Sequence, residues 1–241
     1  MFNIKSNIVA AAAILCCLIV PAKAETYNFV RIQGLAEQAV GEELLKEVYK
    51  RAGIDMTIEA MPGKRALAEA SAGRKDGETL RVYALGENVK SLIRVPTPLS
   101  SLETVAFAKN DGVNGVTADK LGDYTTAVVA GVLHTEAITK GLDNVNVVRS
   151  PEQLFTIVSK ERAQLALTSN LDGRAELKRT GLNDIVMLEP ALKELPLYHY
   201  VHESKADKLV PVIDKIVKEM TESGELAELR AKLEADYLAN Q

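Results

Sequence analysis

Two hydrophobic patterns alternate along most of this chain. Short apolar runs rich in β-branched and aromatic residues, such as 27–32 (YNFVRI) and 165–170 (LALTSN), are typical of strands. Longer stretches with an apolar residue at every third or fourth position are typical of amphipathic helices, as in 37–53 (EQAVGEELLKEVYKRAG), which Gly53 would end. The alternation predicts an α/β protein with parallel sheets and helices on their faces.

The same patterns predict the remaining elements. We expect further strands or extended segments at 54–61, 79–85, 91–99, 103–110, 124–131, 145–150, 185–190 and 195–204. We expect further helices at 64–73, 117–123, 134–142, 150–163, 171–181, 206–222 and 223–236. The helix at 150–163 would begin with Ser150 as its N-cap and Pro151 at its first position. The two cycles suggest two α/β lobes with a ligand cleft between them, near the carboxyl ends of the strands.

The first 24 residues have the three parts of a secretory signal peptide. Lys5 precedes an uncharged apolar run at 8–20, and Ala22-Lys23-Ala24 forms a small-x-small cleavage site. The run is shorter than the roughly 20 residues that a membrane-spanning helix needs. We therefore expect cleavage after Ala24 and a periplasmic location, with a retained membrane anchor as the alternative.

Composition argues against several kinds of functional site and partner. Both cysteines, Cys16 and Cys17, lie in the apolar run, so a chain cleaved after Ala24 would hold no disulfide, thiolate metal site or cysteine nucleophile. The formal charge of the 241-residue chain is −4, and it becomes −6 without Lys5 and Lys23, which argues against nucleic acid as a partner. We expect no cofactor and no metal site.

Five stretches, together with the ending ESGELAELRAKLE (222–234), carry a family resemblance. Their order and spacing resemble the periplasmic solute-binding proteins of type II fold, in the group related to polar amino-acid receptors (bacterial extracellular solute-binding protein family 3). The five are LLKEVYKRAGIDMTIEAMP (44–62), ASAGRKDGETLRV (70–82), LIRVPTPL (92–99), AVVAGVLHTEAI (127–138) and SPEQLFTIVSKERAQLALTSNLDG (150–173). The resemblance implies one lobe of 25–108 plus 195–241, a second of 109–194, and two crossing strands as a hinge.

The stretch GRKDGETLR (73–81) supplies the first candidate ligand contact. A guanidinium can pair bidentately with a carboxylate or phosphate. In the receptors that the chain resembles, a similarly placed arginine binds the ligand carboxylate, which implies this role for Arg81. The alternative is that Arg81 pairs with Asp76 or Glu78 and braces the loop.

The turn GVLHT (131–135) supplies the second candidate. A glycine turn between a strand and a helix leaves backbone N–H groups free, and those of Gly131 and Val132 would suit an anionic or polar ligand. Thr135 would add a hydroxyl and His134 a titratable contact. The alternative makes Gly131 an ordinary turn residue and His134 a surface side chain.

Other loops that follow strands supply the remaining candidates. Asn170 and Asp172 come after the strand at 165–170, where Asp172 would bind a ligand amine or cap a helix. Further candidates on the first lobe are Gln33, Glu37, Arg65 and Tyr83. The alternative for Glu37 is a favourable interaction with a helix N-terminus.

The chain departs from amino-acid receptors in its aromatic residues. Such receptors usually stack their ligand on aromatic side chains of the first lobe, whereas this chain has no tryptophan and 5% aromatic residues. The resemblance therefore implies a monomeric, non-catalytic receptor that captures a small polar or anionic solute and delivers it to the inner-membrane permease of an ABC transporter. The alternatives are a ligand-sensing subunit of a membrane signalling receptor and a periplasmic dehydratase-like enzyme with Glu37 or Asp172 as its acid.

Overall fold

The computed structural model describes residues 25–109, 113 and 115–241. The predicted signal peptide, with Cys16 and Cys17, lies outside this part of the chain. Of the helices within it, none combines the length and the apolar character needed to cross a bilayer.

The described residues form one continuous nine-stranded sheet. In chain order the strands are β1 (Tyr27–Ile32), β2 (Met56–Met61), β3 (Gly77–Val82), β4 (Leu92–Arg94), β5 (Ser100–Lys109), β6 (Thr126–Val129), β7 (Val145–Val148), β8 (Leu165–Ser169) and β9 (Ile185–His202). Their order across the sheet is β2-β1-β3-β9-β5-β8-β6-β7, and β4 pairs with β9. Strands β1, β2 and β3 are parallel at one side, and β6, β7 and β8 are parallel at the other.

Within the described residues, eight α-helices and a 3-10 helix (Ala118–Asp123) connect these strands or follow them. The α-helices are α1 (Ala36–Ala52), α2 (Gly63–Ser71), α3 (Ala84–Asn88), α4 (Leu133–Ile138), α5 (Pro151–Ser159), α6 (Asn170–Thr180), α7 (Glu203–Glu222) and α8 (Glu225–Ala239). Two predicted helix ends are confirmed. Gly53 ends α1 in the left-handed conformation, with φ of 65°, and the Ser150 hydroxyl caps α5 by accepting from the Gln153 N–H.

Two long antiparallel strands, β5 and β9, cross the middle of the sheet. The prediction of separate segments at 185–190 and 195–204 is wrong, because β9 is one strand of 18 residues. It stays continuous because β5 pairs with it along Ser100–Lys109, with a register shift between Thr104 and Ala106. The boundaries proposed for the lobes fall in or beside these two strands and stay a prediction.

Separate hydrophobic cores define two lobes. The first core packs Phe29 and Leu44 against α7 and α8, and the second packs Phe107 against Phe155 of α5. We call β1–β4 with α1–α3, α7 and α8 the first lobe, and β6–β8 with α4–α6 the second lobe. Helix α6 also inserts Leu171 into the first core, so the lobes are packed against each other. The predicted two-lobed α/β fold is confirmed.

The contact between Gly173 of α6 and the buried ring of Phe107 gives a testable prediction. A Cβ at Gly173 would lie 2.0 Å from a ring atom. Alanine normally favours a helix over glycine by about 1 kcal/mol, but here the ring must move. We expect Gly173→Ala to lower the free energy of unfolding by about 1–3 kcal/mol, as measured by urea denaturation.

Gly122→Ala is the matched control for that substitution. The nearest atom to its added Cβ is 3.6 Å away, so its effect should stay below about 0.5 kcal/mol. Equal effects of the two substitutions would show that the Phe107 contact does not limit the size of residue 173.

Candidate functional site

Two hydrogen bonds run directly between the lobes at the carboxyl ends of the outer strands. Arg81 Nη1 of the first lobe donates to the Gly131 carbonyl oxygen at 3.0 Å. The backbone N–H of Glu37 donates to Asp172 Oδ1 of the second lobe at 2.9 Å. The inter-lobe cleft is therefore held shut by groups of the protein itself.

Arg81 is fully engaged by the protein in this arrangement. Its side chain is buried, and Nε and Nη2 donate to the Glu78 carboxylate. Nη2 also donates to the Gly63 carbonyl oxygen at 3.2 Å. Pairing with Glu78 was one alternative that the sequence left open, whereas Asp76 instead accepts from the Asn28 N–H at 2.7 Å. A solute would have to replace Gly131 to reach this guanidinium, so ligand contact by Arg81 stays a prediction.

Two glycines allow the backbones of the lobes to touch beside Arg81. Gly131 has φ of +84°, and a Cβ there would lie 2.9 Å from the Lys64 backbone nitrogen. A Cβ at Gly63 would lie 3.1 Å from the Gly131 oxygen. Any side chain at position 131 would therefore both strain the turn and separate the lobes.

The turn at 131–135 uses its polar groups internally. The Gly131 N–H donates to Glu136 Oε1 at 2.7 Å, and the Val132 N–H donates to the Val129 oxygen at 3.2 Å. Thr135 is fully buried, and its hydroxyl donates to the Val132 oxygen. The expectation of free N–H groups at Gly131 and Val132 is therefore wrong for this arrangement, because side-chain and turn acceptors take them.

His134 is a buried residue that links the second lobe to a crossing strand. Its Nδ1 lies 2.8 Å from the Thr104 hydroxyl of β5, in a hydrogen bond. Burial lowers the pKa of His134 to about 4, so the ring is neutral at physiological pH. The surface alternative for His134 is wrong, because only 6% of the residue is exposed.

Asp172 accepts a hydrogen bond from the N-terminus of a helix in the other lobe. The residues around Asp172 in the sequence do not indicate this contact. Ser169 caps α6, the helix to which Asp172 belongs, whereas the N-terminus of α1 has no side-chain cap from its own N-cap residue, Leu35. Asp172 fills that role from the other lobe by accepting the Glu37 N–H. Burial raises the pKa of Asp172 to about 6, although the hydrogen bond from Glu37 opposes the increase.

Glu37 is buried next to this acid, with 4% of the residue exposed. Its Oε2 has no hydrogen-bond partner among the described residues, and the nearest cation, Arg230 Nη2, is 3.9 Å away. Burial and the carboxylate of Asp172 raise the pKa of Glu37 to about 8.

Two adjoining spaces lie between the lobes. An inner cavity of about 30 Å³ is lined by Glu37, Gln38, Arg81, His134 and Asp172 together with apolar side chains, and it has room for about two water molecules. An outer groove of about 470 Å³ shares Val82, Leu133 and His134 with it. The outer groove is large enough for a small organic solute, whereas the inner cavity is not.

Both lobes and a crossing strand contribute to the outer groove. Tyr83 of the first lobe lines it with 47% of the residue exposed, and the Arg94 guanidinium lies 3.5 Å from the Tyr83 ring centroid. Lys140 follows α4 in the second lobe, and Lys193 lies on β9. Neither lysine has an ion-pair partner within the described parts of the chain.

The remaining predicted residues lie outside the inner cavity and the outer groove. Asn170 lies at the start of α6, and its Nδ2 donates to Glu103 Oε2 at 2.9 Å. Gln33 and Arg65 are exposed and do not line the inner cavity or the outer groove. Of the predicted set, Glu37, Arg81, Val132, His134 and Asp172 come together around the inner cavity.

Sequence reasoning missed several residues of the cleft. Gln38 is buried, accepts from the Ile32 N–H and donates to the Leu80 oxygen at 2.9 Å. Its position directly after Glu37 was the one available signal. Because β5 and β9 pair across the middle of the sheet, Lys193 lines the outer groove and buried Thr104 contacts His134. No local motif marks either residue.

Solved structures of known proteins share this fold. A histidine kinase sensor domain with similarity to periplasmic binding proteins superposes with a TM-score of 0.76 at 14% identity, over 87% of this chain and 96% of that one. AbpA of Streptococcus pneumoniae, an amino acid ABC transporter substrate-binding protein bound to L-arginine, gives 0.72 at 15% identity, over 88% and 96%. Another amino acid ABC transporter binding protein gives 0.71 at 20%, over 87% and 99%. The chain therefore has the two-lobed fold of periplasmic binding proteins.

Sequence comparison adds one relative. An uncharacterized protein of Shewanella oneidensis is 23% identical over 195 residues, which are 77% of this chain and 72% of that protein. No family model matches the chain.

The raised pKa of Glu37 predicts a pH dependence of stability. A carboxyl whose pKa rises on folding keeps its proton in the folded state after the unfolded state has lost it. The contribution of Glu37 to stability therefore falls as pH rises from its ordinary pKa of 4.5 to its folded-state pKa of about 8. Buried His134 and His199, with pKa values lowered to about 4, act in the opposite direction but complete their change by about pH 7. Between about pH 7 and pH 8 we therefore expect the free energy of unfolding to fall by about 1 kcal/mol.

Glu37→Gln should remove this decrease, because glutamine does not titrate. Urea denaturation at the two pH values measures it, and Glu43→Gln on the exposed side of α1 is the control that should keep the decrease. The assignment to Glu37 fails if both variants lose stability as the wild type does.

Proposed function

We propose that this chain is a non-catalytic periplasmic receptor that captures a small anionic solute between its lobes and delivers it to an ABC transporter. The observation that carries the proposal is the outer groove of about 470 Å³, which both lobes and a crossing strand line beside the contacts that hold the lobes together. A solute bound there contacts both lobes and a crossing strand, and the lobes move relative to each other when such a fold opens and closes. The likeness in fold to substrate-binding proteins supports this role.

The lining of the groove favours an organic anion with an apolar body. Val82, Leu133 and Leu195 supply apolar surface. Lys140 and Lys193 supply two cations that have no ion-pair partner among the described residues, while Glu136, which also lines the groove, accepts the Gly131 N–H. An apolar floor with a few charged groups around it fits a ligand that has one hydrophobic part and one carboxylate. The exposed ring of Tyr83 adds a surface on which a planar ligand can stack.

Opening about β5 and β9 extends this site. The inner cavity of about 30 Å³ cannot hold a solute while Arg81 bonds to Gly131. Separation of the lobes breaks that bond and the bond from Glu37 to Asp172, and it exposes the guanidinium. Arg81 then becomes available to a carboxylate in the manner predicted from the sequence, and ligand replaces the protein's own carbonyl.

A sensory subunit is the second candidate function. The specific observation in its favour is the likeness in fold to a histidine kinase sensor domain over 87% of this chain. The solute site would be the same, and the partner would be a membrane sensor in place of a permease. Affinity purification from membranes distinguishes the two, since the transporter role requires recovery of a permease with its ATPase.

Removal of the groove lysines tests the solute site. We expect hexanoate or benzoate to raise the melting temperature more than uncharged hexanol or benzyl alcohol, because the two lysines favour a carboxylate. Lys193→Gln should weaken the anion at least about tenfold in isothermal titration, because a charge-assisted contact contributes about 1.5–3 kcal/mol. Lys232→Gln on α8 is the control and should leave the affinity unchanged.

A test of ligand binding by Arg81 requires a variant that leaves no unpaired charge in the buried site. Substitution of Arg81 alone would leave Glu78 as a buried charge without its partner and would cost about 3–5 kcal/mol of stability. The double variant Glu78→Gln/Arg81→Gln avoids this and should also bind the anion more weakly. Unchanged affinity would exclude Arg81 from the ligand site and leave it as an inter-lobe contact.

A further inference from the structure

A third space lies on the reverse side of the crossing strands. In the β5–β9 ladder, Leu102 opposes Leu195, and both side chains line the inter-lobe spaces. The next pair, Glu103 and Glu194, therefore points to the opposite face. These two residues line a cavity of about 200 Å³, which we call the back cavity. It shares no lining residue with the outer groove, and it shares Glu37 and Leu102 with the inner cavity.

Two buried acceptors in the back cavity lack donors. Glu37 Oε2 and Asn170 Oδ1 both line it, and neither has a hydrogen-bond partner among the residues that the structure describes. The Asn170 amide is fixed in this orientation, because its Nδ2 must face the carboxylate of Glu103. Buried acceptors are rarely left unmatched, so these two oxygens point to a bound group that donates hydrogen bonds.

The rim of the same cavity carries a free cation. Arg174 of α6 is exposed, and within the described residues it has no hydrogen bond or ion pair. Arg230, the other arginine of the cavity, is already committed, since it donates to Glu234 and to the Ser101 hydroxyl at 2.8 Å. Among the described residues that line the cavity, the side-chain groups without a partner therefore include the two inner acceptors, the exposed carboxylate of Glu194 and the Arg174 guanidinium.

This arrangement selects ligands by charge. A bare cation leaves Arg174 without a partner, and a bare anion faces the carboxylates of Glu103 and Glu194. A molecule with a positive donor at one end and an acid group at the other satisfies both sets. The volume of about 200 Å³ accommodates a ligand with a few carbon atoms.

We propose that the back cavity is a second binding site, for a small zwitterion whose ammonium group bonds to Glu37 and Asn170 and whose carboxylate bonds to Arg174. The ligand would join α1 of the first lobe to α6 of the second, next to the hydrogen bond from Glu37 to Asp172. Its binding therefore favours the closed arrangement of the lobes. The site does not depend on the solute proposed for the outer groove.

Isothermal titration of the whole protein beyond residue 24 tests the proposal. The ligands are glycine, L-alanine and γ-aminobutyrate as zwitterions, with ethylamine and propionate as controls that carry a single charge. We expect at least one zwitterion to bind at least tenfold more tightly than either control. Arg174→Gln should weaken that zwitterion at least tenfold, whereas Arg179→Gln, on the same helix but paired with Glu176, should leave it unchanged.

Variants of the outer groove separate this site from the cleft. The proposal requires that Lys193→Gln leave zwitterion binding intact. If Lys193→Gln abolishes binding and Arg174→Gln does not, the zwitterion occupies the cleft and the back cavity is no site. The proposal is equally overturned if no zwitterion binds, or if a crystal grown with the zwitterion shows water molecules in its place on Glu37 and Asn170.

Discussion

The arrangement of the lobes depends on one carboxylate that serves a helix in the other lobe. Asp172 of α6 accepts the N–H of Glu37 at the start of α1, where the N-cap residue Leu35 offers no side-chain acceptor. The interaction satisfies an N–H group that helix geometry leaves free and places a negative charge at the positive end of α1. It also buries Glu37 and Asp172 side by side. Burial raises the pKa of both carboxyls, and the carboxylate of Asp172 raises the pKa of Glu37 further.

Arg81 makes a second connection between the lobes. Its guanidinium holds Glu78 within the first lobe and reaches the Gly131 carbonyl of the second, where two glycines let the backbones touch. In both places the partner is a group of the protein itself: a carboxylate at a helix N-terminus and a carbonyl oxygen at a guanidinium. A solute that binds there, as proposed for Arg81, competes with these internal contacts, and the free energy of its binding is the difference between the two sets of contacts.

Two spaces of different character surround these contacts. The outer groove combines apolar side chains with Lys140 and Lys193, whereas the back cavity offers the acceptors of Glu37 and Asn170 beside Arg174. Glu37 lines the inner cavity and the back cavity, and its backbone N–H takes part in the inter-lobe hydrogen bond. The crossing strands β5 and β9 separate the two spaces through alternation of their side chains. Motion about these strands must therefore alter both.

The sequence by itself determined most helices and strands, because their signals are local. The periodicity of α1, its stop at Gly53 and the Ser150 cap of α5 depend on neighbours within a few residues, and the two cycles of strands and helices implied two lobes. Their positions after strands also marked Glu37, His134 and Asp172 for the cleft, and the family resemblance marked Arg81. The tertiary structure decided what those side chains do. It made Glu78 and Gly131 the partners of Arg81, placed Asp172 at the N-terminus of a helix in the other lobe and made β9 one strand. It also brought Lys193 into the outer groove and Thr104 into contact with His134. Each of these outcomes depends on contacts between residues far apart in the chain. Packing and strand pairing set the distances between these residues, and no local sequence pattern indicates them.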